Sequence, residues 1–179
     1  MNKFGRKVSA LLLAAAVAVS TVVPAFAANS PVSGNVDSNT TVAGTVQADN
    51  TVAVNKVTST EKTATIPASI TSSGKTYNVS EIKTGTIQKK YDKVTLVLNS
   101  STKVDSKIAK SKKAKKTKKI VVKAAAGQKL KASQFDKKAF NGLKGKVIVK
   151  KSAMTKKQYD KLVKKLRKGG FNGKIVRQK

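Results

Sequence analysis

The chain contains no cysteine, no histidine and no tryptophan. Without cysteine there is no disulfide, and no thiol to carry a lipid behind a leader peptide. With histidine missing as well, a histidine-based triad, a thiol nucleophile and a zinc site of the His/Cys type are excluded. Aromatic residues make up 4% of the chain, so any core must be aliphatic. The same scarcity removes the stacking platforms on which single-stranded nucleic acid is read by sequence. The 8 acidic residues are spread singly, with no Asp-x-Asp pair, so no calcium loop is signalled. Gly142 and Gly145 are turn residues and lack the Gly-Lys-Ser/Thr context of a phosphate loop. Two carboxylates that meet in space, as a glycosidase requires, stay open at this level. Asp92, Asp105, Asp136 and Asp160 are more simply read as helix caps or as partners of nearby lysines. The expectation is a protein that is not an enzyme and takes neither cofactor nor metal.

What the chain has in excess is positive charge, with 38 Lys and Arg residues. Lys3, Arg6 and Lys7 precede an apolar run over Val8–Val23, and Ala25-Phe26-Ala27 supplies the small residues of a cleavage site. That is the pattern of a secretory signal peptide over residues 1–27, too short and too plainly terminated for a membrane span. No second long apolar run follows and Ile175–Lys179 is no hydrophobic tail, so the expected product is secreted and extracellular, with any wall association made through charge. Residues 28–88 are neutral, with Lys56, Lys62, Lys75 and Lys83 balanced by Asp37, Asp49, Glu61 and Glu81. Residues 89–179 hold 31 basic residues against 4 acidic ones. A half-chain of this kind attracts polyanions over a Debye length, and less so in high salt.

Residues 28–56 are rich in Ser, Thr, Asn, Gly and Val, nearly uncharged and without a helical period, and read as a low-complexity, disordered leader. Residues 57–88 read as a β-hairpin cap: Thr63–Thr71 extended, a turn at Ser72-Ser73-Gly74, then alternation over Lys75–Ile82. Residues 89–179 form a Lys-rich domain. Within it Val104, Ile108 and Ala109 suggest a short helix, and Ser111–Lys119 a solvated loop. Ser133 and Asp136 have the spacing of a capping box for a helical unit ending near Gly142, with Phe135, Ala139 and Phe140 toward the core. The last helix has the strongest signal. Thr155 is its N-cap, Tyr159, Leu162, Val163 and Leu166 form one apolar stripe, and Gly169-Gly170 ends it. The stripe fits either burial on a sheet or an anionic membrane surface.

Short β-branched runs preceded by lysine recur at Lys93, Lys119, Lys146 and Lys174, with intervals of 26, 27 and 28 residues. A strand returning at that spacing signals a stacked-repeat architecture. Ala139-Phe140, Leu143 and Val147-Ile148-Val149 resemble the repeats of BspA-type leucine-rich-repeat proteins, which are secreted or surface-attached in bacteria. Ala64–Ile82 resembles the family's first strands, and Lys156–Ile175 its last repeat. Thr86-Ile87 stands where the first Ala-Phe is expected, and Ile108-Ala109-Lys110 has no Phe. The resemblance covers residues 60–179 and implies adhesion or binding rather than catalysis. The expected fold class is therefore α/β: a short leucine-rich-repeat-like solenoid of parallel strands and short helices, with an N-terminal hairpin cap and a C-terminal helix–strand cap.

Two functions follow. In the first, a surface or adhesion module associates through lysines with an anionic cell-wall polymer or glycan, and with nucleic acid only nonspecifically. Lysine, a flexible point charge, suits such diffuse attraction. In the second, a structural surface protein binds a protein partner through the solenoid face, and the lysines serve solubility and wall retention. The residues expected to hold a polyanion are Lys112, Lys113, Lys115, Lys116, Lys118 and Lys119, with Lys164, Lys165 and Arg167 as a second patch.

Overall fold

A computed structural model describes residues 28–179, so the expected signal peptide lies outside the described residues. The leader of the sequence reading is, in its place, an antiparallel meander: β1 (Pro31–Asn35), β2 (Thr40–Val46) and β3 (Val52–Ser59). Its valines alternate with Ser, Thr and Gly, so Val32, Val42, Val46, Val52, Val54 and Val57 all face the core. Asp37 and Asp49 make the turns: the Oδ1 of each accepts a backbone N–H two residues on, from Asn39 at 2.9 Å and from Thr51 at 3.1 Å.

The hairpin is shorter than expected. β5 (Ser69–Ser72) and β6 (Lys75–Ile82) pair antiparallel around Ser73-Gly74, whereas β4 (Thr63–Ile66) leaves for another sheet. β6 runs parallel to β3 and also pairs with the two-residue β8 (Lys103–Val104), giving the order β1-β2-β3-β6-β5 with β8 off the path. This sheet curls until β1 lies against β5. A Cβ at Gly34 would collide with the Ile70 side chain and the Thr71 backbone, so glycine sets that approach.

The second sheet is wholly parallel. It contains β4, β7 (Lys93–Leu98), β9 (Lys119–Ala124), β10 (Lys146–Lys150) and β11 (Ile175–Gln178), and the strands stand in the order of the chain. The inner face carries Ala64, Ile66, Val94, Leu96, Leu98, Ile120, Val122, Val147 and Val149, all buried. Between strands, backbone bonds tie successive turns together: Ile87 N–H to Ile108 O at 2.9 Å, and Ile108 N–H to Ala139 O at 3.1 Å. The three positions compared above with an Ala-Phe pair are thus neighbours in space. Phe140 packs between Phe135 and Phe171, with ring centroids 6.2 Å apart in each pair. The core is otherwise aliphatic except for Tyr77 and Tyr91.

The α/β fold class is corrected: 40% of the described residues are strand and 12% helix, in two sheets with one α-helix, so the chain is mostly β and not a helix-rich leucine-rich-repeat solenoid. That helix, α1 (Lys156–Lys168), starts where its cap predicts, the Thr155 hydroxyl accepting from Gln158 N–H at 3.3 Å. The helices expected near Ile108 and over 133–143 do not form. Residues Ala132–Gln134 make one 3₁₀ turn. Asp136 then accepts from Lys138 N–H at 2.6 Å, so its carboxylate makes a turn where a helix was expected. The lysine-dense loop also holds a 3₁₀ turn, Ala114–Lys116, which buries Ala114 and Thr117. In α1, Leu162 and Leu166 are fully buried, which withdraws the stripe from any membrane surface. Among the described residues no helix is long and apolar enough to cross a membrane.

Candidate functional site

Alternation along each strand sends every second side chain of the parallel sheet outward, and the register decides what they make together. Thr95, Val121, Ile148 and Val176 are paired strand to strand and form a row across β7, β9, β10 and β11. Two residues toward the strand starts lies a row of lysines. Lys119 pairs with Lys146. Lys93 precedes Val94, which pairs with Ile120, and Lys174 precedes Ile175, which pairs with Val147. Lys123 and Lys150 flank the central row on its other side, with Gln178 opposite Lys150. The result is a shallow trough of about 210 Å³, floored by short β-branched side chains and walled by lysines.

Like charges directly opposite one another on neighbouring strands are destabilising. No carboxylate side chain answers Lys93, Lys119, Lys123, Lys146, Lys150 or Lys174: the salt bridges among the described residues are Lys83–Glu81, Lys118–Asp92 and Lys156–Asp160. Lys150 Nζ donates to the Lys179 carbonyl oxygen. Thr95, Val121 and Ile148 are each only 8% exposed, because the aliphatic stems of long lysines cover such a floor while the ammonium groups stand in water.

The lysines expected to bind are scattered among several duties. Lys112, Lys113 and Lys116 are exposed on the β8–β9 connection. Lys115 is half-buried, its stem lying where a Cβ on Gly142 would stand. Lys118 bonds Asp92 at 3.1 Å and holds that carboxyl below its ordinary range, with the charges of Lys62 and Lys90 adding to the effect. Lys119 alone of this group belongs to the trough. In the second patch Lys164 is exposed. Lys165 Nζ lies 3.5 Å from Ala132 O and 3.4 Å from Ser133 O, and Arg167 Nη1 donates to Phe171 O at 2.6 Å. Lys165 and Arg167 therefore secure α1 and the chain that follows it. Lys93, Lys123, Lys146, Lys150 and Lys174 were missed as site residues, although the 26–28-residue recurrence of a lysine before each strand was the sign that some of them align.

The carboxylates divide as well. Asp92 and Asp160 pair with lysines, but Asp105 meets Glu81. Burial first, and then the hydrogen bond and charge of Glu81, raise the Asp105 carboxyl above its ordinary range. Burial also pushes Glu81 up, but hydrogen bonds from Lys83 and Asp105 outweigh it and leave Glu81 below its usual value. Glu81 also lines an open depression with Asp49, Thr51, Ser80 and Lys103. Among the described residues there is no group of three or more potential metal ligands.

No protein-family model, no curated protein and no solved structure matches the chain.

Proposed function

We propose that the chain is a secreted, non-catalytic binding module that associates with anionic polymers, a cell-wall polymer or an anionic glycan, through the outer face of its parallel sheet. The observation that carries this reading is the in-register lysine row Lys93–Lys119–Lys146–Lys174. Such a ladder costs stability in the free protein, and a row of anions laid along it relieves that cost. Export is supported by the basic, apolar and small-residue pattern of residues 1–27. The resemblance of residues 60–179 to BspA-type surface proteins also favours binding over catalysis.

A second reading has an observation of its own. Lysines are exposed on the loops and on α1 as well, among them Lys112, Lys137, Lys144, Lys157 and Lys161. On that reading the charge serves solubility and wall retention, and a protein partner takes the sheet face.

The deciding experiment measures retention of the purified chain on isolated wall, on heparin and on duplex DNA across a salt series. Paired Lys119→Gln and Lys146→Gln replacement is expected to flatten the salt dependence by about two charges. Paired Lys112→Gln and Lys113→Gln replacement is expected to weaken retention less. Equal effects from the two pairs would remove the sheet face as the site. Retention on none of the three ligands would leave the protein-partner reading in front.

A further inference from the structure

Resting on the polyanion reading, we infer that the trough takes a linear polyuronate, a 1,4-linked chain with one carboxylate per sugar ring, lying across the strands.

The first argument is direction. The lysines do not converge on a point, as they would around one phosphate. They stand one per strand on four neighbouring strands, which sets them about 4.8 Å apart in a line perpendicular to the strands. Only a ligand with its charges spread along a line reaches lysines on successive strands. A 1,4-linked pyranose chain advances by close to one strand spacing per ring, so successive rings stand over successive strands.

The second argument is the presence of two walls. Lys119 and Lys123 lie four residues apart on β9, and Lys146 and Lys150 on β10, which separates the walls by about 13 Å along the strands. In an extended 1,4-linked chain successive rings turn over, and their carboxylates point alternately to the two sides. A chain lying along Thr95, Val121, Ile148 and Val176 therefore offers carboxylates to the two walls in turn, meeting for example Lys93 on β7, Lys123 on β9 and Lys146 on β10.

The third argument is the floor. It carries no aromatic side chain, and the lysine stems leave only narrow strips of Thr95, Val121 and Ile148 uncovered. The C–H faces of sugar rings pack on those stems and on the strips between them. Polyphosphate has no apolar face to set there, and the bases of single-stranded nucleic acid find nothing to stack on. Duplex DNA carries its phosphates on a convex double helix and touches a flat face only along a short arc.

The test is calorimetric binding of the purified chain to oligomannuronates of two to eight rings at physiological salt. Methyl-esterified oligomers, inorganic polyphosphate of matched charge and heparin are the comparisons. Affinity is expected to rise steeply up to about four rings, one over each of the four strands, and to level beyond it. Esterification is expected to abolish binding. Lys119→Gln with Lys146→Gln is expected to cost about tenfold. Ile148→Asn, which spoils the floor without touching a charge, is expected to weaken oligomannuronate and leave polyphosphate unchanged. Circular dichroism and melting of each variant verify that the fold is retained. If polyphosphate binds as tightly as oligomannuronate and Ile148→Asn affects neither, the polyuronate inference is wrong while the polyanion reading stands. If the esterified oligomer binds as well as the acid, the lysines do not read carboxylates and the inference is again wrong. If no polyanion binds at all, both readings fall together.

Discussion

Asp105 faces a second carboxylate in a chain where almost any other neighbour would be a lysine. Because burial and Glu81 raise the Asp105 carboxyl in the folded protein, the folded state holds that proton more tightly than the unfolded chain does. Stability from this group is therefore greatest in acid and is lost as the pH rises through the folded-state value. Asp105→Asn removes the repulsion, while its amide can still bond Glu81 and its carbonyl oxygen can still accept from Thr84 N–H. It is expected to stabilise the protein at pH 7 by a few tenths to about 1 kcal/mol, a gain kept small by partial exposure. The gain should shrink as the pH is lowered into the acid range. Urea titrations of the parent and the variant at several pH values measure it, and an unchanged or lowered midpoint at pH 7 would show that the pair is not repulsive. Gly145 illustrates a different constraint. A Cβ there would overlap the carbonyl oxygens of Thr117 and Lys118, both backbone atoms, so Gly145→Ala is expected to cost at least about 2 kcal/mol through displacement of the start of β10.

Among the elements, β11 ends the parallel sheet and shows how such an edge is kept from recruiting another chain. Val149 on β10 pairs with Arg177 on β11, at a level where β9 carries Val122. An inward charge on an edge strand discourages further pairing. Arg177 Nη2 donates to Met154 O at 3.1 Å, and Tyr159 Oη donates to Ile175 O at 3.3 Å, occupying a carbonyl at the edge. Arg177→Val continues the apolar inner row to the boundary and is expected to produce concentration-dependent self-association in light scattering, with the parent unchanged. A variant that scatters like the parent would assign the protection to Tyr159 and α1. How much of this was legible depends on where each element finds its partners. The start and stripe of α1 were readable because Thr155, Gln158, Leu162 and Leu166 lie within a few residues of one another. The strands of the parallel sheet were readable as β-branched runs at a steady interval. Residues 133–143 were not readable as turns: Gln134, inside the expected helix, donates to Asn99 O at 2.9 Å and Thr102 O at 2.7 Å, more than thirty residues away, and no local pattern announces such a bond. The meander of β1 to β3 was hidden because its composition is that of a linker, while its alternation of Val with small polar residues is that of a strand. The lysines of the trough were legible one at a time but not as a surface, because only the register places them side by side.

For the molecule as a whole, the dominant fact is a surface on which positive charges outnumber their partners. Self-repulsion of that kind opposes compaction and is screened by salt. The melting temperature is therefore expected to rise as sodium chloride goes from about 10 mM to about 150 mM, where the Debye length falls from about 30 to about 8 Å. A melting temperature that falls over this range would mean that the few ion pairs outweigh the repulsion. The order of the parallel sheet has one more consequence. Each of its strands after the first is laid against the one that came before it in the chain. During synthesis from the N-terminus, every later strand meets a partner already made, and none has to wait for residues beyond it. The sheet can thus be assembled in the direction in which the ribosome delivers it, with one open edge that moves along with the growing chain until Arg177 arrives to close it.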